Sequence, residues 1–289
     1  MARGSTIWRA LLAAMLLGCA PSPAAPRSVV CIVVDTLRAD HLGAYGDTEH
    51  ATSPQLDAWL ARARLYELAF ASSPWTLPSV GSIVSGLWPS HHGAGRWARS
   101  GKERRLTRLD PEHATLAERF QDAGFATAAI VSNHFMRPDS GIEQGFGLYD
   151  FEAVTNESGR RADETVRRAL AWIDARGEQR FFLLVHIFDP HMNYDAPPPF
   201  RGRFSASIET QLGLPVADGR KIRRELAKLS DADRRFIGAA YDEEIAAVDA
   251  QLGVLLEGLE ARGMLKTSLV ALTADHGEEL FEHGSFEHG

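Results

Sequence analysis

The stretch Ser28-Val29-Val30-Cys31-Ile32-Val33-Val34, which is followed by Asp35, decides the fold. An unbroken run of mainly β-branched apolar residues is typical of a strand that is buried on both faces, as in a parallel sheet. Ligands of open α/β sheets bind beyond the carboxyl ends of the strands. The sequence therefore predicts a central strand over residues 28–34, with Asp35 at the edge where a site would form.

Strand and helix patterns alternate along the rest of the chain. Further strands are predicted at residues 125–131, 181–187 and 267–273, and helices at 53–64, 78–85, 115–122, 161–175 and 231–262, the last as one helix or two. Strands separated by helices imply a largely parallel sheet covered on both faces. We therefore predict an α/β fold, a three-layer α/β/α sandwich.

Composition excludes one class of partner. The 289 residues carry a formal net charge of -7, with a pI near 5.9, whereas nucleic-acid binders are normally basic. The one basic stretch, residues 96–108, is either a solvated loop or a rim that attracts anions. We predict no nucleic-acid partner.

The first residues predict export. Arg3 and Arg9 precede the apolar run 10–17, which has the form of a secretory signal and is too short for a membrane-spanning helix. Leu16-Leu17-Gly18-Cys19 resembles a bacterial lipobox, so residues 1–19 are predicted as a lipoprotein signal peptide with Cys19 lipidated; an ordinary signal peptide is the alternative. Residues 20–27 would form a stiff tether, residues 28–289 the catalytic domain, and the protein would be anchored in the bacterial cell envelope.

Polar side chains follow the predicted strands. They are Asp35, Asn133-His134, Asp189 with His191, and Asp275-His276. The adjacent carboxylate and imidazole of Asp275-His276, together with Asp35, offer mixed oxygen and nitrogen ligation that suits Zn or Mn better than Mg or Ca. One divalent metal ion is predicted at this edge.

Thr76 stands directly before the predicted helix 78–85. It could be a plain helix N-cap, or it could use the same position beside the positive end of the helix to meet an anion. A threonine hydroxyl becomes a nucleophile when a base or metal lowers its pKa. A metal at Asp35, Asp275 and His276 would supply that change.

Four blocks of sequence resemble the sulfatase family of the alkaline phosphatase superfamily. They are residues 35–43 (DTLRADHLG), residues 76–93 with Thr76-Leu77-Pro78-Ser79, Phe188-Asp189-Pro190-His191, and Asp275-His276-Gly277-Glu278. The resemblance implies an α/β/α fold around a mixed sheet and metal-assisted attack on a sulfate or phosphate ester through a covalent intermediate. It also implies that the chain is incomplete at its carboxyl end.

The resemblance assigns roles to individual residues. It implies that Asp35, Thr76, Asp275 and His276 bind the metal, that Thr76 is also the nucleophile, and that His191 contacts the anion or the leaving group. Asn133, His134 and His288 would be further substrate contacts, and His283 is expected to be structural.

Two departures from the family pattern bear on the substrate. Sulfatases carry Cys or Ser, converted to formylglycine, where this chain has Thr76, and Val80 replaces the usual Arg. Asp35 is followed by Thr36 instead of a second Asp, and His276 replaces Asn. A threonine sulfate lacks the exit that formylglycine provides, so Thr76 favours phosphoryl transfer, as in relatives that act on phospholipid head groups.

The expected function is hydrolysis or transfer of sulfuric or phosphoric esters on a small molecule, glycan or lipid head group. A sulfatase that works without formylglycine is a second reading within the enzymes. An anchored, non-catalytic binder of anionic glycans or lipids is the alternative from another class.

Overall fold

The computed structural model describes residues 27–47, 49–100, 103–155 and 159–288. The predicted signal peptide, Cys19 and the tether up to residue 26 lie outside these ranges. Within them, no helix combines the length and the apolar character needed to cross a membrane.

The strands and helices alternate largely as predicted. The strands are β1 (Ser28–Val34), β2 (Trp97–Ser100), β3 (Glu103–Leu106), β4 (Ala126–Ile130), β5 (Leu148–Asp150), β6 (Phe181–Ile187) and β7 (Ser268–Ala274). The helices are α1 (Pro54–Leu60), α2 (Thr76–Ser85), α3 (Pro89–His92), α4 (Leu116–Asp122), α5 (Ala162–Asp174), α6 (Gly219–Glu225) and α7 (Asp231–Ala261).

Five strands form the main sheet, in the order β5-β4-β6-β1-β7, and every neighbouring pair is parallel. β1 therefore lies between β6 and β7, with Val33 in register with His186 on one side and with Thr273 on the other. The basic stretch forms the small antiparallel pair β2–β3 instead of a plain loop. The carboxyl ends of β1, β6 and β7 meet at one edge of the sheet.

Apolar side chains cover both faces of this sheet, because successive residues of a strand point to opposite faces. On one face, Val30 and Ile32 of β1 belong to a buried cluster with residues of α5 and α7, such as Ile245. On the other face, Val33 belongs to a cluster with Val80 of α2. The result is the predicted three-layer α/β/α sandwich.

Two helix boundaries differ markedly from the prediction, and the alternative of one or two helices over residues 231–262 is resolved. α2 begins at Thr76 and not at Pro78, with Trp75 as its N-cap residue, so Thr76 is the first helical residue. α1 ends at Leu60 because residues 61–64 are exposed and bury nothing that would extend the helix. α7 is one continuous helix, which begins with a capping box between Ser230 and Asp233.

Candidate active site

Two buried carboxylates meet at the carboxyl edge of the sheet. Asp35 follows β1 and Asp275 follows the neighbouring strand β7, and both are 0% exposed. Asp275 Oδ1 accepts hydrogen bonds from the backbone N–H groups of Thr36, at 3.3 Å, and of His276, at 2.8 Å. The parallel pairing of β1 with β7 therefore brings together residues from opposite ends of the chain.

His276 presents one ring nitrogen to these carboxylates. Its Nδ1–H donates to the carbonyl of Gly277 at 2.9 Å, which leaves Nε2 with a free lone pair. This Nε2 lies 3.4 Å from Asp35 Oδ1 and 3.6 Å from Asp275 Oδ2. A neutral imidazole held in this tautomer is a ready metal ligand.

Thr76 reaches the same cluster from α2. Its side chain is buried, and its Oγ1 lies 3.5 Å from His276 Nε2. Asn133, which follows β4, donates from Nδ2 to Thr76 Oγ1 at 3.1 Å and to Asp35 Oδ2 at 2.5 Å. The Asn133 amide thereby fixes the hydroxyl relative to the Asp35 carboxylate.

Ser79 secures the helix that carries Thr76. Its hydroxyl donates to the carbonyl of Asp275 at 2.5 Å, so the first turn of α2 is tied to the end of β7. The backbone at Thr36 is unusual as well, since this β-branched residue has a φ of +55°, and such strain persists where surrounding contacts enforce it. Tyr241 supplies one of these contacts, because its hydroxyl donates to the Thr36 carbonyl at 2.7 Å.

The donor set of this cluster fits a divalent cation. Asp35 Oδ1 and Asp275 Oδ2 are buried and have no hydrogen-bond partner among the described residues. Burial, followed by the negative charge of Asp275, raises the pKa of Asp35 to about 7. Two carboxylates and an imidazole beside one hydroxyl, all shielded from water, are the ligand types that Zn or Mn accepts.

His186 is a member of the cluster that the sequence analysis missed. It lies inside β6, is 0% exposed, and offers one ligand atom within 4.8 Å of ligand atoms of Asp35 and Asp275. The available signal was a single imidazole inside the otherwise apolar run Phe181–Ile187, one residue before the strand ends. Such a run is otherwise typical of a buried core strand.

A second group of histidines adjoins His276. The ring of His288 lies 4.5 Å from that of His276 and 4.8 Å from that of His191. Burial lowers the pKa of both His191 and His288, so both favour the neutral form. His191 Nδ1 donates to the carbonyl of Met192 at 2.7 Å, which leaves its Nε2 available.

Glu278 holds His288 in place, and the sequence analysis assigned it no role. Its Oε1 accepts a 2.7 Å hydrogen bond from His288 Nδ1, and its Oε2 accepts one from the hydroxyl of Tyr194 at 3.3 Å. Burial raises the pKa of this carboxyl to about 7. The motif 275–278 thus brings in the adjacent carboxylate and imidazole of Asp275-His276 and a second carboxylate, Glu278, that fixes a further imidazole.

The remaining predicted residues lie outside the central cluster. His134 begins a short 3₁₀ turn after β4 and is half-buried, with its ring 5.9 Å from that of Phe135. Asp189 Oδ2 accepts from the N–H of Ala162 at the start of α5, which is a structural contact. His283 is exposed and pairs with Glu279 at 2.7 Å, as expected for a structural residue.

A cleft of about 690 Å³ opens over His276 and His288. One wall is the loop Ala71–Pro74 that precedes α2, and another is the segment after β7, including Glu278 and Glu282. Arg38 lines the cleft too and pairs with Glu282 at 2.5 Å. Access from solvent to the cluster is therefore on the side of the two histidines.

Comparisons with known proteins agree with this architecture. The delta 4,5-hexuronate-2-O-sulfatase of Bacteroides thetaiotaomicron is 22% identical over 279 residues, covering 86% of this chain and 56% of that protein. The human N-sulphoglucosamine sulphohydrolase is 25% identical over 274 residues, covering 91% of this chain and 53% of that protein. The chain thus spans little more than half the length of these two relatives.

Solved structures share the fold. The phosphonate monoester hydrolase of Agrobacterium radiobacter superposes with a TM-score of 0.65 at 20% identity, covering 91% of this chain and 64% of that one. The C-terminal periplasmic domain of EcEptC from Escherichia coli, in complex with Zn, superposes with a TM-score of 0.66 at 14% identity, covering 92% and 69%. The family model for the sulfatases matches residues 27–289, nearly all of the chain. This chain belongs to the sulfatase family.

Proposed function

We propose that this chain carries the reaction centre of a metal-dependent hydrolase or transferase of sulfuric or phosphoric esters, with Thr76 as the nucleophile. The observation that carries the proposal is the position of the Thr76 hydroxyl, held at 3.1 Å by the Asn133 amide and 3.5 Å from His276 Nε2. Thr76 is not the N-cap of α2, because Trp75 occupies that position and Thr76 is the first helical residue.

Asp35, Thr76, Asp275 and His276 would hold the metal. A divalent cation there would lower the pKa of the Thr76 hydroxyl and draw charge from an ester oxygen. The related EcEptC domain was crystallised with Zn, and a carboxylate–imidazole donor set favours Zn or Mn over Ca or Mg.

The chain's own residues would position and protonate the ester. Thr76 lies in the first turn of α2, where the positive end of the helix dipole favours an anionic group. Thr76 Oγ1 would release its proton to solvent and bond to phosphorus or sulfur as the ester bond breaks. The leaving oxygen would take a proton from Nε2 of His191 or His288, which must first gain that proton because both imidazoles favour the neutral form. Proton donation of this kind contributes roughly 10²–10⁴-fold. Water or an acceptor alcohol would then release the group from Thr76.

The substrate class follows from the relatives and from Thr76. The relatives named above include a hexuronate sulfatase and a phosphonate monoester hydrolase, so the ester would belong to a sulfated or phosphorylated glycan, small molecule or lipid head group. A threonine hydroxyl cannot form the hydrated aldehyde from which formylglycine enzymes expel sulfate. We therefore propose that phosphoryl or phosphonyl esters react faster than matched sulfate esters.

Intact-mass spectrometry after brief exposure to an aryl phosphate, and separately to the matched aryl sulfate, tests this proposal. We expect an adduct of one phosphoryl group on Thr76, which Thr76→Ala lacks, and faster turnover of the phosphate. The absence of both adduct and turnover in a metal-loaded chain would favour a non-catalytic binder of anionic ligands.

We also propose export and lipid anchoring through Cys19, on the basis of the sequence Leu16-Leu17-Gly18-Cys19. Expression in a bacterium with labelled palmitate tests it: the label should enter the wild type and not Cys19→Ala. Labelling of both proteins would contradict the assignment of Cys19.

A further inference from the structure

His186 differs from an ordinary buried histidine. It is 0% exposed inside β6, and neither of its ring nitrogens has a hydrogen-bond partner in the part of the chain that the structure describes. An imidazole buried without a partner loses its hydrogen bonds to water, and this loss destabilises the fold. Native structures keep such a group where something else compensates it.

His92 shows how this protein accommodates a structural histidine. It is also 0% exposed, but its Nε2 lies 3.0 Å from Ser82 Oγ and 3.1 Å from the carbonyl of Pro78. Its Nδ1 accepts from the N–H of Ala94 at 3.1 Å. Both ring nitrogens of His92 are therefore used, and those of His186 are not.

The unpaired Nε2 of His186 faces two carboxylate oxygens, of which Asp35 Oδ2 accepts from Asn133 and Asp275 Oδ2 is unpaired among the described residues. His186 Nε2 lies 3.9 Å from Asp35 Oδ2 and 4.0 Å from Asp275 Oδ2. These separations are too long for hydrogen bonds. The nitrogen and the two carboxylate oxygens face one another without bonding to one another. Ligand atoms around a cation are arranged in the same way.

We propose that His186 binds the metal directly through Nε2, as a second imidazole beside His276. The inference rests on the metal centre of the proposed function and extends its ligand set into the sheet. Two imidazoles with two carboxylates favour Zn over Ca or Mg, because hard cations prefer oxygen ligands. Position 186 would thereby help to determine which metal the site selects.

Zinc affinity, measured by competition with a chromophoric chelator on the full chain, tests the contribution of His186. The wild type should bind one equivalent, and His186→Gln should bind it more than about 100-fold more weakly, because loss of a residue that only supports a metal ligand already weakens binding by about 10–100-fold. His92→Gln is the matched control: it removes a buried imidazole on the same side of the sheet and should leave the zinc Kd unchanged. An unchanged Kd in His186→Gln, or no zinc binding by the wild type, overturns the inference.

A crystal structure of the zinc-loaded wild type decides the point without any variant, which matters if His186→Gln does not fold. Nε2 of His186 within about 2.0–2.1 Å of the zinc supports direct ligation, and a longer separation or an intervening water overturns it. Neither readout uses turnover. A zinc site that includes His186 in a chain that forms no Thr76 adduct would leave this inference intact and remove the proposed function.

Discussion

Two regions of this molecule bury acidic side chains, and they treat them differently. On α7, Glu243 is 1% exposed, and its two oxygens accept from the N–H groups of Gly202, Phe204 and Ser205 at 2.8–2.9 Å. At the sheet edge, Asp35 and Asp275 are buried as deeply, yet each keeps an oxygen without a partner among the described residues.

The two regions differ in what their buried carboxylates are available for: structural hydrogen bonds in one, chemistry in the other. Backbone N–H groups bond to both oxygens of the Glu243 carboxylate, so that it pins the loop 202–205 to the long helix. The two aspartates converge on a hydroxyl and on imidazoles and keep lone pairs unused. Burial of a carboxylate alone therefore does not identify a site; burial with unused lone pairs that face one another does.

The largest expected effect is on the turnover rate, which should depend on the residues at the sheet edge. Thr76→Ala should lower turnover by about 10³-fold or more, because the residue that forms the covalent bond is lost. Thr115→Ala is the matched control: Thr115 is buried and forms the capping box of α4 with Glu118. That change should lower the free energy of unfolding by about 1 kcal/mol and leave the rate unchanged. Steady-state kinetics measure the turnover rate, and urea denaturation measures the free energy of unfolding. Equal losses of rate in Thr76→Ala and Thr115→Ala would contradict the special role of Thr76.

Glu244 lies on α7 but resembles the aspartates at the sheet edge, because it is the one acidic residue of the 242–244 run with an unpaired oxygen. Its Oε1 accepts from the N–H of Asp195, and burial, followed by the charge of Asp189, raises the pKa of this carboxyl to about 8. The folded chain thus retains a proton that the unfolded chain loses from about pH 4.5 upward. The Glu244 carboxyl therefore contributes to stability at low pH, and this contribution is lost as the pH rises to about 8.

Glu244→Gln should remove this pH dependence. The glutamine is neutral throughout, so the variant should resemble the wild type near pH 5 and be more stable than it near pH 8, by on the order of 2 kcal/mol. Urea denaturation of both proteins across this range, with chelator present, measures the difference. A difference that does not grow with pH contradicts the raised pKa of Glu244.

The third test addresses Glu243 itself. Glu243→Gln replaces a carboxylate oxygen by an amide N–H that would face a backbone N–H, so we expect the free energy of unfolding to fall by about 1–3 kcal/mol. The zinc Kd should not change, since loop 202–205 contributes no residue to the cluster. Weakened zinc binding in a folded variant would show that the two regions are not independent.

The sequence predicted the fold well where burial is symmetric. The runs 28–34 and 181–187 are almost entirely apolar because strands of a parallel sheet are covered on both faces, and the structure has strands over both ranges. The β2–β3 pair was missed because alternation is weak in a short basic stretch. The end of α1 was misjudged because helix propensity at residues 61–64 is not supported by packing.

The candidate site was predictable to the extent that its residues follow strands. Asp35, Asn133 and Asp275-His276 stand just after apolar runs. Because the carboxyl ends of parallel strands lie at one edge of the sheet, where ligands bind, these residues are expected to meet there. His186 stands within a run, where a single sequence does not distinguish a ligand from a core residue. The hydrogen bonds from Asn133 to Asp35 and Thr76 depend on strand order, which local pattern does not specify.

The smallest expected effect in the metal-free chain is that of Asp275→Asn. Asp275→Asn keeps an oxygen that can accept from the N–H groups of Thr36 and His276 and removes one of two facing negative charges. In chelator at pH 8 the variant should match the wild type to within about 1 kcal/mol, because two effects oppose each other: the charge of Asp275 contributes to the raised pKa of Asp35, whereas the neighbouring His186 and His276 lower the pKa of Asp275 itself. Added zinc should stabilise the wild type and not the variant, which separates the two proteins in thermal denaturation. If Asp275→Asn is instead destabilised in chelator, as Glu243→Gln should be, the carboxylates at the sheet edge are structural in the metal-free chain, and the contrast between the two regions fails.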